Sequence, residues 1–223
     1  MADAGRPLSL VVLISGRGSN LKAILDAIDA GELDARVSAV ISSRIDARGL
    51  DHARRAGIDT LALDAADYPD RDAYDRALQG LIDRFAPDLV VLAGYMRILS
   101  ADFVRHYRGR LINIHPSLLP ALRGLHTHQR ALDEGLKEHG ASVHFVTEEL
   151  DSGPVIIQVR VPVLADDTAA TLAARVLQQE HPLYVQALQL LAGGEIAWQG
   201  EQLCYHGEPL GEPLQMNTET SEN

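Results

Sequence analysis

Short apolar runs alternate with amphipathic segments through the first half of this chain, and this alternation restricts the possible folds more than any other feature. Leu8–Ile14 is rich in Val, Leu and Ile and is closed by Gly16, which is typical of a strand buried on both faces. Leu21–Ala30 follows with apolar residues at helical spacing and a stop at Gly31. Alternation of this kind predicts a parallel sheet covered by helices on both faces.

The later segments continue this pattern and then depart from it. We predict strands at Val37–Ile41, Ile58–Leu63, Leu89–Ala93 and Leu111–His115, and helices at Ala47–Ala56, Asp70–Phe85 and Ala101–Tyr107. In the second half, Ala141–Val146 and Val155–Val161 are strands with no helix between them, and a long helix follows at Thr168–Ala192. The sequence therefore predicts an α/β fold: an open, mostly parallel twisted sheet with helices on both faces and an antiparallel excursion in the C-terminal half.

Length and composition favour one domain followed by a tail. The chain has 223 residues, of which 46% are apolar and 23% charged, so a single domain spanning residues 1–206 can bury a substantial core. Residues 207–223 begin with Gly-Glu-Pro-Leu written twice and continue with polar residues. Such a segment buries too little surface to offset its ordering entropy, and we expect it to be a disordered tail.

Charge and cysteine content restrict the partners and the compartment. The net charge of -11 disfavours a nucleic-acid-binding surface, although a local nest of backbone N–H groups can still bind a small anion. The single Cys204 excludes an internal disulfide and argues against zinc held by thiolates, which fits a reducing compartment. Leu8–Ile14 is too short to span a bilayer, and Met1–Pro7 lacks a secretory pattern. We expect a cytoplasmic protein that binds small molecules, without nucleic acid or membrane.

Two separate segments supply an amide, an imidazole and a carboxylate. Asn113 and His115 lie in Asn-Ile-His-Pro-Ser-Leu-Leu-Pro, and Asp151 lies in Glu-Leu-Asp-Ser-Gly-Pro. A reaction through a charged tetrahedral carbon needs a donor for the oxyanion, a proton carrier and a group that orients the carrier. Asn113 and His115 are two positions apart in a predicted strand, so their side chains share a face, and Pro116 ends the strand. The pair is expected at the carboxyl end of the strand, where open α/β sheets keep their sites.

Each of these residues also has an ordinary structural interpretation, and two other chemistries are possible. A strand-end histidine, a capping asparagine and a turn-forming aspartate are all common when taken singly. His126 and His128 suggest a metal site, but the segment lacks a helical His-x-x-x-His and carboxylates at ligand spacing. Ser117 is close to His115, but no Gly-x-Ser-x-Gly turn presents it as a nucleophile. We expect neither a metal nor a covalent intermediate.

The segment from Ser15 to Asn20, Ser-Gly-Arg-Gly-Ser-Asn, joins the first strand to the first helix. Ser19 and Asn20 are residue types that cap helices, and the free N–H groups of a helix start attract an anion. The lysine of a Walker loop is missing, and Leu21 stands where a dinucleotide fingerprint needs a small residue. The pattern indicates a site for one phosphate, with a plain strand-to-helix turn as the alternative.

A second loop, Leu92–Ser100, follows the fourth predicted strand on the same sheet edge. Its backbone could hydrogen-bond a flat heterocycle while Leu92 and Ile98 pack on the two faces of the ring. A buried crossover segment with no ligand would have the same pattern.

Together these motifs resemble the folate-dependent glycinamide ribonucleotide formyltransferase family, from about Leu8 to about Trp198. The matching segments are Val-Leu-Ile-Ser-Gly-x-Gly-Ser-Asn at 12–20, Val-Leu-Ala-Gly-Tyr-Met-Arg-Ile-Leu at 91–99, Asn-Ile-His-Pro-Ser-Leu-Leu-Pro at 113–120 and the segment 140–153. One departure lies after Pro120, where the family usually has a Pro-Gly pair and this chain has Arg123-Gly124. Gly124 is kept but the stiff residue before it is lost, so the resemblance does not define the conformation of that loop, and the catalytic residues are untouched.

The resemblance implies transfer of the formyl group of 10-formyltetrahydrofolate to the amine of glycinamide ribonucleotide in purine biosynthesis, by a monomer or homodimer. Its N-terminal half would bind the phosphate, and its C-terminal half would bind folate and carry the catalytic groups. The catalytic residues implied are Asn113, His115 and Asp151. The ribonucleotide-binding residues implied are Gly18, Ser19, Asn20 and Glu180. The folate-binding residues implied are Arg71, Met96, Arg97, Ile98, Leu99 and Asn113.

Three other functions remain possible at this point. The same catalytic residues could activate water and hydrolyse 10-formyltetrahydrofolate, although a hydrolase has no phosphorylated acceptor to bind. Formyl transfer to methionyl-tRNA would need a basic appended domain, which this acidic chain does not have room for. A non-catalytic nucleotide- or folate-binding module would keep one of the two loops but would not need His115 or Asp151.

Overall fold

The computed structural model describes residues 6–200 and 202–217. The strands are β1 Leu8–Ile14, β2 Ala35–Ser42, β3 Asp59–Ala62, β4 Leu89–Leu92, β5 Leu111–His115, β6 Glu138–Phe145, β7 Val155–Pro162, β8 Ile196–Gln199, β9 Gln202–Tyr205, β10 Glu208–Pro209 and β11 Leu214–Gln215. The helices are α1 Ser19–Asp29, α2 Leu50–Arg55, α3 Arg71–Asp83, α4 Ala101–His106, α5 Thr127–Asp133 and α6 Ala169–Ala192, with a short 3-10 helix at Ala65–Asp67.

Eight strands form the larger sheet in the order β11-β7-β6-β5-β4-β1-β2-β3. The pairs of neighbouring strands from β3 to β5 are parallel, and β6 is antiparallel to both β5 and β7. The predicted α/β class and its antiparallel excursion are confirmed. After β1, the strands β2 and β3 lie on one side of β1, and the chain then crosses over to place β4 on the other side. This reversal leaves a crevice at the carboxyl ends of β1 and β4, where open α/β sheets bind ligands.

Alternate residues of β1 pack into two separate cores, one on each face of the sheet. Leu10, Val12 and Ile14 belong to the core that includes buried residues of α1 and α6. Val11 and Leu13 belong to the core that includes buried residues of α3 and α4. Because both faces of the strand are covered, the sheet is held rigidly and the loops at its edge start from fixed positions.

The tail is the part of the fold that the sequence predicted wrongly. Leu214–Gln215 pairs with β7, and Glu208–Pro209 pairs with β9 in a small three-stranded sheet. The backbone N–H of Met216 donates to the Gln158 carbonyl at 2.8 Å, and Leu210 and Leu214 pack against the core. These edge-strand hydrogen bonds and apolar contacts supply the stabilisation that composition alone did not reveal, so residues 208–217 are not a disordered tail. Residues 218–223 lie outside the described part of the chain.

No helix in the described segments, 6–200 and 202–217, is long and apolar enough to cross a membrane.

Candidate active site

The loops that follow β1, β4 and β5 meet at one edge of the larger sheet. Ser15 connects two of them, because its hydroxyl accepts a hydrogen bond from the Met96 backbone N–H at 2.8 Å. The same hydroxyl lies 2.6 Å from that of Ser43, which follows β2. These two hydrogen bonds fix the loop after β1 against the loop after β4, so the two loops that were predicted to bind ligands lie side by side.

The three residues of the predicted catalytic triplet converge at this edge. The His115 Nδ1 lies 3.5 Å from the Asp151 Oδ2, and the two side chains are only 8% and 9% exposed. The Asn113 Nδ2 lies 3.3 Å from the Nε2 of His144, which is in turn 3.9 Å from the Asp151 Oδ1. Asn113, His144, Asp151 and His115 therefore form one chain of side chains, in which His144 is the member that the sequence did not predict.

Both ring nitrogens of His115 face oxygen acceptors. The Nε2 lies 3.0 Å from the Leu122 carbonyl, and the Nδ1 faces the Asp151 carboxylate. A neutral imidazole has one N–H and can donate to only one of these oxygens, whereas the imidazolium donates to both. The two ring nitrogens of His115 are therefore both held against oxygen atoms of the protein. The carboxylate is itself held, because Asp151 accepts a hydrogen bond from the Gly124 backbone N–H at 2.9 Å.

His144 is buried, and its ring is neutral near pH 7. Its side chain is 2% exposed, and burial lowers its pKa to about 4. Finding this residue from sequence would have required the register of β5 on β6, which pairs Asn113 with His144. The residue type and the strand were visible in the sequence, but the cross-strand partner was not.

The start of α1 carries no side-chain cap. Gly18, with a φ of 71°, is the N-cap residue, and the first turn holds no acidic side chain. The expectation that Ser19 and Asn20 cap the helix is therefore wrong, because the helix begins at Ser19, two residues before the predicted start at Leu21. A Cβ on Gly18 would lie 2.7 Å from the Cα of Gly49, so glycine is needed for this close approach. The N–H groups of the first turn are left available for an anion.

Glu180 of α6 joins the helix start from the opposite side. The Asn20 Nδ2 donates to the Glu180 Oε2 at 3.0 Å, while the buried Oδ1 of Asn20 has no hydrogen-bond partner within the described segments. Burial raises the pKa of Glu180, opposed by the hydrogen bond from Asn20 and by the charge of His115. A carboxylate and an unpaired amide oxygen therefore accompany the helix start, and both can accept hydrogen bonds from a ligand.

Exposed apolar side chains border the site. Met96 and Ile98 are 72% and 65% exposed on the loop after β4, and Leu125 and Leu150 are exposed on the loops that contain Gly124 and Asp151. Four exposed apolar side chains on adjacent loops are suited to the faces of a flat, partly apolar ligand.

The remaining predicted folate residues occupy different environments. Arg97 lies over the Tyr74 ring, with its guanidinium carbon 4.4 Å from the ring centroid. Arg71 begins α3 and is half exposed, 3.8 Å from Asp72. Arg71 and Arg97 thus place two cationic side chains on or beside α3. Leu99 instead is only partly buried and packs against the core.

Arg123 forms an ion pair that joins the two loops around the triplet. Its Nη1 lies 2.9 Å from the Glu149 Oε1, two residues before Asp151. Its backbone carbonyl accepts a hydrogen bond from Arg130 at 2.7 Å. In the place where the resemblance leads one to expect a stiff proline, this chain has a charged side chain that ties residues 116–126 to residues 146–154.

An amide, an imidazole and a carboxylate that converge at the edge of a covered α/β sheet are an arrangement suited to enzymes that transfer a group through a tetrahedral carbon. A family model described as formyl transferase matches residues 8–188, and the chain belongs to that family. The chain is 56% identical over 203 residues to the phosphoribosylglycinamide formyltransferase of Escherichia coli K12. This alignment covers 91% of this chain and 96% of the Escherichia coli protein.

Solved structures show the same likeness. The phosphoribosylglycinamide formyltransferase of Coxiella burnetii, solved with CHES, superposes with a TM-score of 0.90 at 46% identity, covering 95% of this chain and 100% of that one. A formyltetrahydrofolate deformylase from Pseudomonas syringae superposes with a TM-score of 0.83 at 27% identity, covering 90% of this chain but 66% of that one.

Proposed function

We propose that this chain transfers the formyl group of 10-formyltetrahydrofolate to the amine of glycinamide ribonucleotide, a step of purine biosynthesis. The observation that carries the proposal is that the uncapped start of α1 and the Asn113–His115–Asp151 triplet are joined through Glu180, which accepts a hydrogen bond from Asn20 and whose pKa is raised by burial against the opposing charge of His115. An enzyme that transfers formyl to a phosphorylated acceptor needs a phosphate site next to its reacting carbon. The 56% identity to an Escherichia coli protein with this name supports the same assignment.

The reaction forms one carbon–nitrogen bond and breaks another. The acceptor amine attacks the formyl carbon, and the carbonyl electrons move onto oxygen. An N–H of Asn113 donates to this oxyanion, and a donor of this kind contributes about 3–4 kcal/mol at the barrier. The bond to N10 of the folate then breaks, N10 gains a proton, and the amine loses one. No covalent bond to the protein is formed.

We assign the proton transfer between the two nitrogens to His115, and a ring nitrogen must leave its oxygen partner, Leu122 or Asp151, to take part in it. The Leu122 carbonyl accepts a hydrogen bond from one ring nitrogen and the Asp151 carboxylate lies 3.5 Å from the other, so both fix the orientation of the ring and would stabilise an imidazolium formed in the reaction. The Gly124 N–H holds the Asp151 carboxylate in place.

Each substrate is assigned its own loops. Gly18, Ser19 and Asn20 bind the ribonucleotide phosphate through the N–H groups at the start of α1, and Glu180 accepts hydrogen bonds from the ribonucleotide. The segment Met96–Leu99 contacts the folate ring system. Arg71 and Arg97 supply positive charge for the carboxylates of the folate, and Arg97 is already oriented over Tyr74.

The test of this function is an absorbance assay for the deformylated folate, run with and without glycinamide ribonucleotide. We expect product only when the acceptor is present. Equal rates without the acceptor would mean that the chain is a hydrolase, the function named for the Pseudomonas syringae neighbour. No turnover under either condition would mean that the chain is a non-catalytic nucleotide- or folate-binding module.

Gly18→Ala is expected to weaken ribonucleotide binding. The added Cβ would meet the Cα of Gly49 at 2.7 Å, and a φ of 71° is unfavourable for alanine. The helix start must shift, so the KM for the ribonucleotide should rise roughly tenfold or more, the equivalent of about 1.4 kcal/mol of binding energy. The folate KM should change little.

Gly16→Ala is the matched control, because a Cβ there meets no atom within 4 Å. Steady-state kinetics on both variants provides the measurement. An equal rise in the ribonucleotide KM for Gly16→Ala would contradict the special role of Gly18.

Arg123→Ala is expected to lower kcat/KM by a few fold at low salt, because the loops around the triplet lose their ion pair. Exposed ion pairs contribute about 0.2–1 kcal/mol and are screened by salt, so the difference from the wild type should disappear in high salt. The control is Arg160→Ala, which removes the exposed pair with Glu138 on β6 and β7. If the two variants lose activity equally, the Arg123 pair has no particular part in the site.

A further inference from the structure

His144 faces Asn113 directly across the antiparallel pair β5–β6. Its Nε2 lies 3.3 Å from the Asn113 Nδ2, so the ring contacts the amide that is assigned to the oxyanion. The ring is buried, and the chemistry described above gives it no part in proton transfer.

The hydrogen bond at the other nitrogen fixes the tautomer of the His144 ring. The Nδ1 lies 2.9 Å from the Phe145 carbonyl, which can only accept a hydrogen bond. The proton of the neutral ring is therefore on Nδ1, and Nε2 has a lone pair. The Asp151 carboxylate would favour a charged ring, but burial is the larger effect and keeps the pKa at about 4.

A lone pair on Nε2 selects one of the two orientations of the Asn113 amide. Only the NH₂ group can donate to it, because the amide oxygen in the same place would face another acceptor. The NH₂ group has two hydrogens, and one of them remains for a ligand.

We propose that His144 is a positioning residue that turns the Asn113 amide so that an N–H, and not its carbonyl oxygen, faces the formyl oxygen. The proposal rests on the function proposed above. The orientation is transmitted in sequence from the Phe145 carbonyl to the His144 tautomer and from there to the Asn113 amide.

Two substitutions separate the two ends of the His144 ring. His144→Gln places an oxygen near the position of Nε2, so an acceptor for Asn113 is kept. His144→Asn keeps a donor for the Phe145 carbonyl, but its shorter side chain does not reach Asn113. We expect His144→Asn to lower kcat roughly 10- to 100-fold with the KM of both substrates little changed, and His144→Gln to keep most of the wild-type kcat.

A double substitution tests whether His144 acts through Asn113. In an Asn113→Ala background, His144→Asn should cause no further loss of kcat, because the amide that it orients is gone. A multiplicative loss would overturn the proposal. A kcat for His144→Asn within threefold of the wild type would also overturn it. Equal losses of kcat for His144→Asn and His144→Gln, together with lowered melting temperatures, would overturn it as well.

Nitrogen NMR of the wild-type His144 ring reports the tautomer independently of turnover. We expect a protonated Nδ1 and an unprotonated Nε2 near neutral pH, and a protonated Nε2 would overturn the proposal. If the wild-type enzyme shows no acceptor-dependent turnover, the proposed function fails. A failure of the proposed function can be told apart from a failure of the His144 proposal, because the NMR measurement reports the tautomer of the His144 ring even when the enzyme does not turn over.

Discussion

Asn113→Ala is expected to reduce kcat by roughly 100- to 1,000-fold, the loss seen when a single oxyanion donor is removed. The donor acts on charge that develops only in the transition state, so the KM values should stay within about threefold of the wild type. The acceptor-dependent absorbance assay gives both parameters. Near-normal turnover would contradict the role assigned to Asn113.

Asn113→Asp separates the loss of the donor from the loss of packing. The side chain keeps its shape, but an ionised carboxylate cannot donate and would repel an oxyanion. We therefore expect a loss at least as large as that of the alanine variant. Retained activity in the aspartate variant would show that Asn113 acts by filling space.

Asp151→Asn is expected to reduce kcat by roughly 10,000-fold, by analogy with other sites in which a carboxylate orients a catalytic histidine. The asparagine oxygen can still accept the hydrogen bond from Gly124, and asparagine tolerates the φ of 49° at this position. What is lost is the negative charge 3.5 Å from the His115 Nδ1. The imidazolium that carries the proton is then less stable, so kcat should fall while the melting temperature changes little.

Ser152→Ala is the matched control for this loop. Its hydroxyl donates to Glu149 at the surface, so its removal should leave kcat nearly unchanged. A kcat for Asp151→Asn within threefold of the wild type would show that the carboxylate does not support His115 during turnover.

The sheet could be predicted from the sequence because its strands are short apolar runs with clear ends. β1 and β5 begin and end at the predicted residues, Leu8–Ile14 and Leu111–His115. In each case a glycine or a proline follows the strand and stops it. The antiparallel excursion at β6 and β7 was predicted because no helix lies between these two strands, whereas the order of the strands in the sheet was not predicted.

The elements that were not predicted are too short to show a helical or strand periodicity of apolar residues in the sequence. α5 spans only Thr127–Asp133, and it begins after His126 with a φ of 59°, which the sequence gives no reason to expect. The strands β8 to β11 have two to four residues each. Their stability comes from pairing with other strands and not from their own pattern.

The candidate site shows the same division between local and non-local information. The residue types of the triplet and the spacing of Asn113 and His115 were visible in sequence, because a strand places alternate residues on one face. The contacts of His144 and of the Leu122 carbonyl depend on strand register and loop conformation. The roles of all these residues in turnover remain predictions.

The most direct test of the account follows the formyl carbon itself. Folate carrying an isotopically labelled formyl group is mixed with glycinamide ribonucleotide that is labelled at the reacting nitrogen, and the product is examined by NMR. Direct transfer predicts a carbon–nitrogen coupling in a product formed in equal amount to the deformylated folate, and the Asn113→Ala variant should form it far more slowly. Labelled formate in place of that coupled signal would contradict the account.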